Sequence, residues 1–522
     1  MSLSSPSSTL RTGRSASFNW LPTLYVLLIA LIMSGTGWLA LREGSTRYLL
    51  PFRTDHVAEQ ASLQAQLLRQ HPTMENIEKY SPELATLTKG TDARRFVDSK
   101  LIEHGVYLAR MPRLNQILLT AHIFTGVACM LLGGWQFWPA LRQRFMRLHR
   151  LIGGIYVLTV PISVLLSFAY LAVTAPHNLY TRLTAWVALW LFGTVALWSV
   201  GSAVHALKQR RIHEHMGYMA LSFACMLVAP MLRLNWVMLA WLFPHIDQET
   251  LSLVTMGIMM PECLLIGYGL IQANRQYDRA MTRRTVSALP GALLQGFQRA
   301  MPLWYALAAG LLVISLTHFA AGLGMSGTES ARKLVNAALL DREGLVLQAH
   351  TGVRIVFALS SSLALLLGLH LFNRLLNLAP TTVLAGSLKA QARMMLMLSM
   401  MAGASATYLG WHIGLAPSQQ WLSGGTLYTT SGLLILLFSA VLTGNLVKGH
   451  LAMLKESLAF LLCLLPFAPL LLINLWVLQW LPIPADYIQQ GQGYVLAAGS
   501  CGTLMFAAMF YAVLGQASRE HG

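Results

Sequence analysis

Long apolar stretches, separated by short polar segments, run through most of the 522-residue chain. A transmembrane helix needs about twenty consecutive apolar residues, and runs of this length predict about twelve spans. The predicted spans are residues 21–41, 114–138, 150–174, 182–206, 216–243, 250–273, 301–323, 346–370, 391–414, 425–446, 451–481 and 490–515. This pattern predicts an all-α fold, a polytopic transmembrane helical bundle.

The charged residues refine this picture. Only 11% of the residues are charged and 55% are hydrophobic, which is typical of a protein embedded in a lipid bilayer. The formal charge of +17 comes from Lys and Arg in short segments between apolar runs. The positive-inside rule accounts for this distribution, so we do not expect a nucleic-acid partner. The alternation predicts a multi-pass protein of the bacterial inner membrane with both termini in the cytoplasm.

The chain divides into six predicted regions. They are a cytoplasmic N-terminal lead (1–20), a first span (21–41), an external segment (42–112), a first-half bundle (114–273), a basic cytoplasmic linker (274–300) and a second-half bundle (301–522). The external segment contains a helix-like patch at Ala58–Gln70 and is either a small folded cap or a loosely ordered loop. The five cysteines all fall inside apolar runs without C-x-x-C spacing, which indicates small core residues.

An internal repeat relates the two bundles. Residues 224–244 contain Ala-Pro, Asn, Trp-Val, Trp-Leu and Pro in the same order as residues 460–482. Residues 121–126 (AHIFTG) are similarly echoed by residues 349–352 (AHTG). A duplication of six plus six spans gives both halves the same orientation, as in parallel-repeat membrane proteins.

Ionisable residues inside the apolar runs are the candidate functional residues, because such groups are costly in hydrocarbon unless they are paired, ligated or functional. His149 and His215 stand at the cytoplasmic starts of their spans and therefore at matching depth. His122 lies nearer the outer surface, about 20 Å or more from them along the membrane normal. A single mononuclear site therefore cannot use all three.

The outer halves of the spans carry a second set of polar residues. Arg233 and Glu262 lie on consecutive antiparallel spans at similar depth, which predicts an intramembrane ion pair. His350 and His412 also fall within the outer halves of their spans.

Several chemistries suit these residues. Facing imidazoles can ligate the iron of haem b, while arginines receive the propionates. His149 and His215 are the candidate inner iron ligands, and His122 with His350 or His412 the candidate outer pair. Arg150 and Arg233 are candidate propionate partners. Binding of Cu, Zn or Fe, proton relay, and simple headgroup contact by histidines at helix ends remain open alternatives.

Part of the chain resembles a group of bacterial predicted membrane proteins classified only as a domain of unknown function. One block consists of His122, Leu131–Gly133, Gln136-Phe137, Leu141-Arg142, His149-Arg150, Gly153 and Tyr156. A second block consists of His215, Met219 and Arg233. The resemblance covers roughly residues 115–240 and implies a multispan membrane core with functionally selected His and Arg.

Three functions follow from these observations. The leading hypothesis is a transmembrane redox protein that carries electrons through one or two b haems, with a quinone or another membrane redox protein as partner. A multispan transporter with duplicated halves is the alternative. The third hypothesis is an assembly factor for another membrane complex. Whether the protein is an enzyme stays undecided.

Overall fold

The structure is a computed structural model of the chain. It describes residues 20–44, 55–80, 104, 107–108, 110–179, 181–243, 246, 248–277, 296, 298–376, 378, 382–414 and 424–517. These residues are mainly α-helical and include no β-strand, which confirms the all-α fold class. The N-terminal lead before Trp20 and most of the basic linker lie outside the described residues.

The first half begins with one apolar helix, continues through two shorter helices and then forms a helical bundle. Its helices are α1 (Trp20–Glu43), α2 (Asp55–Gln70), α3 (Met74–Tyr80), α4 (Arg113–Gly133), α5 (Pro139–Arg144), α6 (Met146–Val173), α7 (Arg182–Lys208), α8 (Ile212–Met226), α9 (Val228–Leu242) and α10 (Gln248–Tyr277). The helix predicted at Ala58–Gln70 is confirmed by α2, which begins three residues earlier.

The described residues of the second half are also mainly helical. Its helices are α11 (Met301–Ile314), α12 (Glu329–Leu334), α13 (Ala337–Ala349), α14 (Thr351–Leu376), α15 (Gly386–Ile413), α16 (Gly424–Lys448), α17 (Leu451–Leu464), α18 (Phe467–Leu478), α19 (Ala485–Gln489) and α20 (Gln492–Ala517). A π-helical turn, Ser315–Ala320, extends α11.

Among the described helices, eight are long and apolar enough to cross a membrane, and two bent pairs raise the number to as many as ten. The protein is therefore a multi-pass membrane protein. Helices α15 and α20 occupy the remaining two predicted spans but are not among these ten. The total of twelve spans stays a prediction.

Two of the crossing units are sharply bent. Helices α8 and α9 meet at 50°, and α17 and α18 meet at 52°. Proline explains both bends, since it lacks an N–H and its ring clashes with the carbonyl four residues earlier. Pro230 removes the donor for the Met226 carbonyl, and Pro469 does the same for Leu465. Pro466 lies directly in the second break.

The end of the first half where α4 ends and α6 begins is called the basic end here, because it carries Arg142, Arg144 and Arg147. Helices α10 and α17 join the two halves toward the same end. Tyr268 and Gln272 of α10 donate hydrogen bonds of 2.6 and 2.7 Å to Oε1 of Glu456 on α17. Glu456 is only 3% exposed, so this is a buried polar contact between the halves.

Small residues permit close helix packing in the second half. A Cβ added at Gly410 would lie 2.5 Å from the Thr429 nitrogen and 2.6 Å from the Gly425 oxygen of α16. Only glycine lets the backbones of α15 and α16 approach this closely. The cysteines match their prediction as well, since all five are free thiols and four are buried.

A short helical cap lies between α11 and α14. It contains α12 and α13, which begin at side-chain caps from Thr328 and Asn336. Glu343 of α13 is fully buried and accepts hydrogen bonds from the Met325 nitrogen and the Tyr428 hydroxyl. Burial raises the pKa of Glu343 to about 7, although the two hydrogen bonds act in the opposite direction.

Candidate functional site

A cavity of about 200 Å³ lies inside the first half, partway along its helices. The bend between α8 and α9 forms one wall, and α1, α4, α6 and α7 form the others. The lining residues are Thr36, Ala40, His122, Ile123, Gly126, Val127, Met130, Ser163, Val164, Ser167, Leu189, Phe192, Gly193, Cys225, Met226, Val228, Ala229 and Arg233. The lining is mainly apolar, with a few polar groups that can orient a ligand.

His122 is held in a fixed orientation on the cavity wall. Its Nδ1 lies 2.8 Å from the Ser163 carbonyl oxygen and 3.2 Å from the Ser163 hydroxyl. A carbonyl oxygen only accepts hydrogen bonds, so we assign the proton of the neutral ring to Nδ1. Nε2 then carries the lone pair and is the atom that can accept a hydrogen bond from a ligand.

Arg233 lies on the wall formed by α9, five residues after this helix begins. Its Nη1 donates a 2.9 Å hydrogen bond to the Ala229 carbonyl. Glu262 has a different partner, because it accepts a 2.6 Å hydrogen bond from the Asn235 side chain. The structure therefore does not form the predicted Arg233–Glu262 ion pair. Positions 233 and 235 point about 200° apart around a helix, so only Asn235 faces α10.

His149 and His215 come together at the basic end. His149 lies within electrostatic range of His215, Arg142 and Arg150. Nδ1 of His149 is buried without a hydrogen-bond partner, whereas Nδ1 of His215 lies 3.0 Å from the Ala203 carbonyl. The inner pair predicted from depth is thus neighbouring in space. Arg150 stands beside it with an exposed side chain.

The outer histidines are arranged differently from the prediction. The rings of His350 and His412 have centroids 4.5 Å apart, and both contact Tyr408. Rings in direct contact leave no room for a porphyrin between them. His122 lines a cavity of the first half and is bonded to Ser163, whereas His350 and His412 are not among the described residues that line this cavity.

The described residues include no cluster of three or more His, Cys, Asp or Glu side chains that could hold a metal ion. A site for Cu, Zn or Fe with three protein ligands is therefore not supported in this part of the chain.

Sequence reasoning missed several residues of the cavity. Ser163 and Ser167 lie four residues apart on α6 and therefore face the same side of the helix. Thr36 on α1 also lines the cavity. In the sequence, two small polar residues at this spacing in an apolar span indicate a polar face on the helix, and Pro230 indicates the bend.

The cavity lies almost wholly within one recognisable stretch of sequence. Residues 119–268 match the family described as "Predicted membrane protein (DUF2306)". The match confirms the resemblance seen in the sequence, and it covers every lining residue except those of α1. No curated protein and no solved structure matches the chain. The DUF2306 stretch thus contains His122, His149, His215, Arg233 and Glu262, but the family's function is unknown.

Proposed function

We propose that the protein is a membrane carrier for a small solute and that the first-half cavity is its solute site. The observation that carries this proposal is the position of the cavity at the bend between α8 and α9. Many secondary transporters place their substrate site at a discontinuous transmembrane helix, near the middle of the membrane. His122 and Arg233 supply fixed polar contacts in this cavity, and the apolar lining suits the body of a small ligand.

The duplication predicted from the sequence supports the same proposal. The two bent units contain most of the two segments that the predicted repeat pairs, residues 224–244 and 460–482, and have nearly equal bend angles, 50° and 52°. The Asn235 side chain of α9 donates a hydrogen bond to Glu262 on α10, and the Asn474 side chain of α18 donates one to Ser500 on α20. Similar bends and similar contacts in both halves are the features expected of parallel repeats.

Alternating access gives a test that does not require the substrate to be known. In proteoliposomes of known orientation, we expect a Ser167→Cys variant to react with a membrane-impermeant thiol reagent from either side of the bilayer. Ser167 lines the cavity, and a carrier exposes its site to each side in turn. Mass spectrometry of the labelled protein gives the reaction rate from each side.

Ser199→Cys is the matched control, because Ser199 is completely buried on the neighbouring helix α7. It should stay unreactive from both sides. Labelling of Ser167→Cys from neither side, or from one side alone under all conditions, would be evidence against a carrier.

The second candidate function is electron transfer through haem b at the basic end. It is supported by His215, whose Nδ1 faces the Ala203 carbonyl and leaves Nε2 available as a ligand. His149, with a buried and unpartnered Nδ1, is the second imidazole, and a quinone or membrane redox protein is the expected partner. The cavity at His122 is smaller than the roughly 300 to 1,000 Å³ of typical ligand pockets, which disfavours haem there.

The visible spectrum of the purified protein separates the two candidates. Haem b gives a Soret band and a reduced α-band, and His149→Ala and His215→Ala should each remove the same component. A colourless, iron-free protein rules out the redox candidate and leaves the carrier.

A further inference from the structure

The charge on Arg233 defines the ligand chemistry of the cavity. The guanidinium is permanently protonated, and within the described part of the chain its hydrogen-bond partner is the neutral Ala229 carbonyl. No acidic side chain is among the described residues that line the cavity. Glu262, the ion-pair partner predicted from the sequence, is bonded to Asn235 on another face of α9.

A cation inside the membrane domain is unfavourable unless a negative charge balances it. A bound anion provides that charge at the position where the structure supplies none. One guanidinium balances one negative charge, and its planar pair of N–H donors matches the two oxygens of a carboxylate. The balance therefore favours a monocarboxylate over a dianion such as a phosphate ester.

The bend contributes partial charges of both signs, a positive one from the start of α9 and a negative one from the Met226 carbonyl at the end of α8. Val228 and Ala229, the first two residues of α9, both line the cavity. The N-terminus of a helix carries a partial positive charge, and half-helix N-termini face anionic substrate groups in known carriers. Arg233 and the start of α9 thus act on the same space from one wall.

The size and lining of the cavity limit the rest of the ligand. A volume of about 200 Å³ lies below the roughly 300 to 1,000 Å³ of typical ligand pockets, so the ligand is small. Apolar residues such as Val127, Val164 and Phe192 cover most of the surface away from Arg233. A chain of a few carbon atoms fills this space without leaving polar groups unsatisfied.

We propose that the cavity binds a short-chain organic monocarboxylate, with its carboxylate on Arg233 and its apolar tail against α4, α6 and α7. This inference rests on the proposed carrier function and names the substrate class for the same site. A free carboxylate and the headgroup region of an anionic lipid both combine a single negative charge with an apolar body. The anion bound at this site therefore comes from one of these two sources.

Calorimetric titration of the whole protein in phosphatidylcholine nanodiscs tests the proposal with butyrate and butyramide. The two probes have nearly the same size and differ in charge. We expect butyrate to bind, and we expect the affinity for butyramide to be lower by about tenfold or more. Arg233→Gln should remove the preference for butyrate. Arg233→Lys should retain part of it, because the charge remains while the paired donors are lost.

Arg147→Gln serves as the control, because Arg147 is exposed at the basic end, and it should bind butyrate as the wild type does.

Loss of butyrate binding in phosphatidylglycerol nanodiscs assigns the anion site to a lipid headgroup, and unchanged binding assigns it to a free carboxylate. Equal binding of butyrate and butyramide, unchanged binding by Arg233→Gln, or no butyrate binding in phosphatidylcholine overturns the inference. Two-sided labelling of Ser167→Cys can still succeed in that case, so the carrier proposal is judged separately.

Discussion

Replacing Glu456 with alanine is expected to lower the free energy of unfolding by about 3 kcal/mol, because it removes the acceptor of two buried hydrogen bonds. Tyr268 and Gln272 of the first half donate these bonds at 2.6 and 2.7 Å. Buried donors that lose their acceptor carry a full desolvation penalty. The midpoint of thermal unfolding in detergent should fall by several degrees.

Glu329→Ala is a matched control for the removal of a carboxylate. Glu329 forms a surface ion pair of 2.7 Å with Lys333, and its side chain is 74% exposed. Exposed pairs of this kind contribute little to stability because solvent screens them, so the variant should unfold close to the wild-type temperature. Equal midpoints for Glu456→Ala and Glu329→Ala would show that the contact between the halves contributes little.

The largest pH effect is expected from Glu343. Burial raises its pKa from 4.5 to about 7, so the folded protein binds this proton more tightly than the unfolded chain does. The bound proton stabilises the folded state fully below pH 4.5, and this stabilisation is lost as the pH rises to about 7. The difference between the two pKa values corresponds to about 3 kcal/mol of stability. Thermal unfolding of the wild type between pH 4.5 and 8 should show this decline.

Glu343→Gln should remove that component of the pH dependence. The glutamine side chain retains an acceptor for the Met325 nitrogen and a group within reach of the Tyr428 hydroxyl. Above pH 7 the variant should therefore be more stable than the wild type. Parallel stability curves for the two proteins across this range would contradict the buried, proton-binding role of Glu343.

Helix positions could be predicted from the sequence because the apolar runs are long. All twelve predicted spans contain helices, and α2 was anticipated from a short amphipathic patch. The bends at Pro230 and Pro469 follow from the same physics, although their angles depend on packing. The cap that holds Glu343 was missed, because its short helices have no long apolar run.

The partners of the polar residues could be predicted only in part. Position along a helix sets the depth of a residue, and depth placed His149 near His215. Depth does not specify which neighbour a residue faces, because that depends on the rotation of each helix in the bundle. For this reason Glu262 bonds Asn235 and not Arg233. The cavity lies between α1, α4, α6, α7 and the bent pair α8–α9, so no local sequence pattern predicts it.

The central claim is that the cavity at the bend between α8 and α9 is occupied by a small anionic solute. Protection of Ser167→Cys from alkylation tests this claim most directly, because Ser167 lines the cavity. We predict that butyrate slows the reaction in a concentration-dependent manner, that butyramide does not, and that the added substitution Arg233→Gln abolishes the protection. An alkylation rate that butyrate leaves unchanged would contradict the account.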